Sequence, residues 1–178
     1  INTIICGDNV KVMADIPDNY IDLTVTSPPY DNLRTYNGYS FDFEEVAKQL
    51  YRVTKSGGVV VWVVGDSTVN GSESGTSFRQ ALYFKEIGFN LHDTMIYQKQ
   101  NYVPLTHNRY EQAFEYMFVF SKGKPKTFNP ISITAKCAGR IKTPHALSES
   151  QKQKSAMTGA QLKKPYVINK TKIKPNIF

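Results

Sequence analysis

The chain has 178 residues, 40% hydrophobic and 21% charged, a size and balance that suit one globular domain and leave little room for two. Its longest apolar run, Val59 to Val64, is strand-sized, far short of the roughly 20 residues that cross a bilayer, so no membrane partner is expected. The formal charge of +7 is unevenly placed: nine Lys/Arg stand against 14 Asp/Glu up to Ser121, a net −5, and 13 against one beyond it, a net +12.

Thr3-Ile4-Ile5-Cys6 predicts a short buried strand ended by Gly7-Asp8, with Cys6 a small buried thiol. The chain opens on Ile1 rather than Met, as a trimmed product would, and no secretory signal precedes that strand pattern. Cys6 and Cys137 lack metal or redox spacing, so a reducing, cytoplasmic setting is expected. Asn9 to Ala14 predicts a brief helix, stopped by Pro17. Ile21 to Thr26 is an apolar run of the kind found in parallel sheets covered on both faces. After the polar stretch Asp31 to Tyr39, Phe43, Val46, Ala47 and Leu50 recur at helical spacing between Phe41 and Thr54. Asp42, Glu44 and Glu45 favour its N-terminus, and Ser56-Gly57-Gly58 closes it.

Val59 to Val64 predicts a buried strand ending in Gly65-Asp66. Val69 to Ser77 is Gly/Ser-rich and reads as a mobile loop, followed by a helix from Phe78 to Ile87 with Gly88 as its cap. Strands follow at Leu91 to Gln98 and Phe114 to Phe120, joined by a polar connection holding Pro104, His107 and Arg109. The alternation predicts an α/β sheet, mainly parallel, with an antiparallel hairpin at one edge. Beyond Gly123-Lys124-Pro125 periodicity fades, and residues 122–178 are expected to form a basic, partly disordered region distinct from 1–121. Such a separation of sign points to a polyanion, nucleic acid foremost, with a solvated lysine-rich tail as the plain alternative.

Thr26-Ser27-Pro28-Pro29-Tyr30 ends the second strand. Each proline fixes φ near −65° and lacks an N–H, so the pair makes a stiff extended elbow whose carbonyl oxygens have no partner within it. Such an elbow is suited to gripping an amino group. An amine conjugated to an aromatic ring is a poor nucleophile because its lone pair is delocalised into the ring. Two acceptors that draw both N–H bonds out of the ring plane free that lone pair, and Ser27 Oγ with the Pro28 carbonyl are the acceptors expected here. What remains is positioning of the reacting atoms at about 3–3.5 Å.

Gly7-Asp8, Val25 to Tyr30, the strand after Gly57-Gly58 and Tyr116-Met117-Phe118-Val119-Phe120-Ser121-Lys122, in this order, resemble the β group of DNA amino-methyltransferases. The resemblance covers roughly Ile4 to Lys122. It implies an incomplete Rossmann-like sheet, S-adenosylmethionine as cofactor, and transfer of its methyl group to the exocyclic amine of cytosine (N4) or adenine (N6). Ser27 favours cytosine, since adenine-specific members more often carry Asp or Asn there. The implied partners are double-stranded DNA, from which the target base is rotated out, and a restriction endonuclease. Ser27, Pro28, Pro29 and Tyr30 are the implied catalytic residues, Tyr30 by stacking on the base. Asp8, Thr26 and Asp66 are the implied cofactor contacts, at the carboxyl ends of the strands. No metal site is implied. His107 and Arg109 are candidates for phosphate contacts.

One departure bears on all of this. The family carries a downstream Asp-Pro-Phe-x-Gly-x-Gly-type segment around the methionine end of the cofactor, and none of the 11 glycines here forms a Gly-x-Gly pair. The sequence is therefore expected to stop partway through the family's length, completed by a longer product or by a second polypeptide segment. A non-catalytic nucleic-acid-binding relative, or a methyltransferase acting on RNA or protein, are the rival readings.

Overall fold

The computed structural model describes residues 2–29, 40–102, 109–142, 166–167 and 171–173. The chain divides into two compact units, one within Ile1–Phe128 and the other within Asn129–Pro175.

In the first unit, Asp8 opens helix α1 (Asn9–Ala14), its carboxylate accepting the Lys11 N–H at 3.0 Å. Strand β1 (Ile21–Thr26) follows. Asp42 caps α2 (Phe43–Val53) in the same manner, through the Glu45 N–H at 3.1 Å, and Val46, Ala47, Leu50 and Val53 form its buried stripe. Strand β2 (Thr54–Val64) begins directly at the end of α2. A small ribbon, β3 (Thr68–Val69) and β4 (Ser72–Glu73), precedes α3 (Thr76–Glu86), β5 (Asn90–Gln98) and β6 (Phe114–Ser121). The sheet order is β1-β2-β6-β5. β2 runs parallel to β1, and β6 is antiparallel to both β2 and β5, so β1, β2 and β5 share one direction and β5–β6 form the antiparallel pair at one edge.

The helices cover one face of this sheet. Val60, Trp62 and Val64 of β2, with Phe118 and Phe120 of β6, meet Val46, Ala47 and Leu50 of α2 and Ala81 and Phe84 of α3 in a continuous core. The expectation of cover on both faces is corrected here. Side chains alternate along a strand, and those opposite the core stay open: Leu23 is 58% and Val25 65% exposed, with Val59, Val61 and Val63 only half-buried beside them.

The strand expected at Thr3–Cys6 does not form, and Ile4, Ile5 and Cys6 are exposed rather than buried. A strand is stable only through a neighbour's hydrogen bonds. The free edge of β1, where another strand would join, holds none among the described residues.

Ser56-Gly57-Gly58 also departs from expectation, lying within β2 rather than closing the helix. Gly57, at φ +81°, donates to the Lys122 carbonyl at 2.6 Å and accepts from Lys126, while Gly58 accepts from Lys122. The glycines thus bend the strand start under the end of β6 rather than making a loop. The Gly/Ser-rich segment after Val69 forms the β3–β4 ribbon, turned by Asn70 and Gly71, both at positive φ; Asn-Gly is a favoured pair for such tight turns.

In the second unit, β7 (Ser132–Thr134) pairs antiparallel with Thr171–Ile173, and β8 (Ile141–Lys142) with Tyr166–Val167. Lys122 belongs to the first unit, where its ammonium donates to the Tyr51 carbonyl at 2.7 Å and to Asn19 Oδ1 at 3.0 Å and lies over the Tyr51 ring.

Candidate active site

A cavity of about 740 Å³ opens at the carboxyl end of β1. Thr24 and Thr26 enter it because they alternate onto the helix-covered face, and the chain then runs straight into the elbow, Ser27, Pro28 and Pro29, which continues the same wall. Ser27 is exposed, Pro28 buried and Pro29 half-buried. Gly7, Asp8 and Asn9, at the start of α1, line the same cavity. The remaining lining is apolar: Met13, Phe41, Val46, Leu50 and Trp62.

The structure therefore brings together five of the seven residues expected at the site: Asp8, Thr26, Ser27, Pro28 and Pro29. Tyr30 lies outside the described residues, as does His107. Asp66 is not in the cavity lining; it is 8% exposed and turned toward the start of α3. Its carboxylate accepts the Ser77 N–H at 2.9 Å, the Ser74 hydroxyl at 3.1 Å and the Ser77 hydroxyl. That set supplies the helix-end acceptor which Gly75, at the cap position itself, lacks. Arg109 donates to the Gly71 carbonyl and pairs with Glu73 at 3.9 Å, tying its segment to the ribbon.

Tyr116 lies within reach of the Asp66 charge. Burial, then Asp66 and Glu73, raise its phenol above the ordinary tyrosine value, so it is held neutral. Among the described residues no group of three His, Cys, Asp or Glu is placed to hold a metal ion, and no helix is long and apolar enough to cross a membrane.

Phe41 and Trp62 are cavity residues that the sequence reading did not single out. Trp62 belongs to an unbroken apolar run, in which nothing marks one member as facing a cavity. Its register was the available signal: β1 pairs with β2 in parallel so that Trp62 lies beside Thr26, one residue before the elbow.

The arrangement is that of an open α/β sheet with its ligand crevice where the parallel strands end, here walled by a hydroxyl-bearing Pro-Pro elbow. A family model for DNA methylase of the N6/N4 type matches residues 21–174, and the chain belongs to that family. Among curated proteins it is 74% identical over 115 residues to the orphan methyltransferase M.BamHII of Bacillus amyloliquefaciens, covering 65% of this chain and 43% of that protein. It is 25% identical over 183 residues to the type II methyltransferase M.SfiI of Streptomyces fimbriatus, covering 86% and 42%. The chain thus spans less than half the length of these relatives. Among solved structures, a DNA methylase from Thermus thermophilus aligns with a TM-score of 0.53 at 24% identity over 84% of this chain and 58% of that one. The cytosine-N4-specific PvuII DNA methyltransferase aligns at 0.55 and 20% identity, over 87% and 62%. These likenesses concern the fold.

Proposed function

We propose that this chain is the catalytic-side portion of a DNA amino-methyltransferase acting on the exocyclic amine of an extruded base, cytosine N4 in preference to adenine N6. The observation that carries this reading is the gathering of Asp8, Thr26, Ser27, Pro28 and Pro29 around one cavity at the end of a parallel strand. S-adenosylmethionine is the methyl donor of this reading, and when bound it supplies an electrophilic methyl group. The lining suits it: Asp8 and Asn9 offer polar contacts, Thr26 a hydroxyl, and the apolar side a surface for its heteroaromatic ring.

Ser27 Oγ, which has two acceptor lone pairs, and the Pro28 carbonyl oxygen accept the two N–H bonds of the target amine. Held so, the nitrogen moves toward sp³ geometry and its lone pair leaves conjugation with the ring. Alkylation acidifies the remaining proton, so these weak acceptors suffice and no strong base is required. The proline pair contributes stiffness, which keeps the acceptors in place without an ordering cost when the base arrives. Tyr30 stacks on that base. Basic residues beyond Lys122 contact duplex DNA, and a further polypeptide segment, in the same product or in trans, completes the donor site. A cytoplasmic location and a companion restriction endonuclease accompany this reading.

The test is methyl transfer from tritiated donor to duplex DNA by this chain together with the C-terminal portion of a relative, with N4-methylcytosine and N6-methyladenine separated by nucleoside analysis. Ser27→Ala should lower the rate by about a hundredfold or more, on the scale of losing one oriented hydrogen-bond group at a reacting centre, with DNA affinity within a few-fold. Activity that survives Ser27→Ala would remove the assigned role. The concentration of basic residues beyond Ser121 supports one second reading, a nucleic-acid-binding module without catalysis. Calorimetric titration with S-adenosylmethionine, with and without the added segment, separates the two.

A further inference from the structure

We propose that Phe41, backed by the buried indole of Trp62, forms an aromatic wall that seats the planar ring of an aminated heterocycle, and that Gln80 positions this wall by holding the indole. The inference rests on the methyltransferase reading above for the identity of the guest, and on geometry for the wall.

Trp62 is 1% exposed, yet it lines the cavity beside the elbow. Its only polar atom is engaged inside the core: Nε1 donates to Gln80 Oε1 at 2.8 Å, and Gln80, on α3, is itself 6% exposed. What the indole presents to the cavity is therefore carbon. Phe41 stacks against it, ring centroids 6.4 Å apart and planes inclined by 28°, and Phe43 braces the indole edge-on at 5.9 Å. Phe41 is only half-buried. A phenyl ring that served the core alone would gain most by full burial; this one keeps part of its surface toward the space it lines.

The cavity lining is thus of two kinds, hydroxyl, carboxylate and carbonyl acceptors from the elbow and the start of α1, and aromatic carbon from Phe41 and Trp62. A flat ring carrying an amine fits both at once: its edge meets acceptors and its face meets the Phe41 phenyl, which the buried indole backs. Two guests share that chemistry, the target base and the adenine ring of the methyl donor. Aliphatic amines and bare sugar phosphates satisfy one kind only.

Trp62 is the sole tryptophan of the chain, so its emission reports directly on the wall. The 178-residue chain is titrated with deoxycytidine, with adenosine and with S-adenosylhomocysteine, using ribose 5-phosphate as control. Saturable quenching by at least one aminated nucleoside and none by ribose 5-phosphate is expected. Quenching by deoxycytidine alone assigns the wall to the target base, and quenching by adenosine and S-adenosylhomocysteine assigns it to the donor. Phe41→Leu and Phe41→Met, which keep apolar volume without a ring, should each weaken binding about tenfold, and Phe41→Tyr should bind as the parent does.

Gln80→Glu keeps the acceptor for the indole N–H and should preserve affinity. Gln80→Met removes it and should shift the emission and weaken binding together, a coupling that a purely structural glutamine would not produce. The proposal is overturned if no aminated nucleoside quenches saturably in the parent chain, if ribose 5-phosphate quenches equally, or if the ring-removing variants bind unchanged. Because methyl transfer is not the readout, quenching in a chain that stays inactive with the C-terminal portion of a relative added would refute the enzymatic reading and leave the wall, and activity of that pair without quenching would do the reverse.

Discussion

Asp8 meets two demands at one position: its carboxylate holds the Lys11 N–H that begins α1, and it lines the cavity. Asp8→Asn keeps a capping oxygen, while Asp8→Ala removes it and should cost about 1 kcal/mol. If the residue also contacts the donor, both changes should weaken donor binding although only Ala lowers the urea midpoint. Equal donor affinity for all three forms would confine Asp8 to capping. Tyr116 gives a second prediction at this scale. Its raised pKa means that the folded chain holds the phenolic proton more tightly than the unfolded chain does. The resulting stability is complete below about pH 10, the ordinary tyrosine value, and is lost as pH climbs above it. Tyr116→Phe should flatten, without abolishing, the fall in urea midpoint between about pH 9 and 11, because Tyr83 is shifted in the same direction. Individual residues were unequally legible. The elbow announced itself because two adjacent prolines have one backbone consequence wherever they stand. Asp66 did not, since a carboxylate after a strand serves a ligand or a helix end equally well, and only the position of Ser77 reveals which groups it holds.

At the level of elements, the sequence was most informative where one segment decides its own conformation. Asn9–Ala14, expected to stop before Pro17, and Ile21–Thr26, expected from its apolar run, have the bounds read from the sequence. It was least informative where a neighbour decides. Thr3–Cys6 has strand composition and no strand beside it, and Gly57-Gly58 has loop composition but is held by Lys122 and Lys126. The fit at Gly58 is tight: a Cβ there would sit 2.9 Å from Thr54 Cγ2 and 3.0 Å from the carbonyl oxygens of Asp22 and Lys55. Two of those atoms are backbone, one in β1 and one in β2 itself, and cannot rotate away. Gly58→Ala should therefore destabilise by about 1–3 kcal/mol, the usual range for forcing extra volume into packed structure, measured by urea unfolding. A neutral result would mean that the start of β2 is looser than its contacts imply.

For the whole molecule, two properties follow from sums over many residues. The excess of positive charge beyond Lys122 requires affinity for DNA to fall with salt; if four phosphates are neutralised, binding should weaken about a hundredfold between roughly 50 and 200 mM. A flat response would detach that region from DNA. The second property is the open sheet face. Leu23 and Val25 on β1 are more than half exposed beside half-buried Val59, Val61 and Val63, and the outer edge of β1 is unpaired among the described residues. An apolar strip next to free backbone donors and acceptors is unfavourable in water and prone to pairing. On our reading, the segment that completes the donor site covers it. Polar substitutions there then separate folding from assembly. Leu23→Glu and Val25→Lys remove little buried area, so the chain alone should keep its stability within about 0.5 kcal/mol. Both changes place a charge where the added segment must bury apolar surface. They should abolish co-purification with the C-terminal portion of a relative, and with it methyl transfer, while leaving the salt-dependent DNA binding intact. Co-purification undiminished by Val25→Lys would place the completing segment elsewhere.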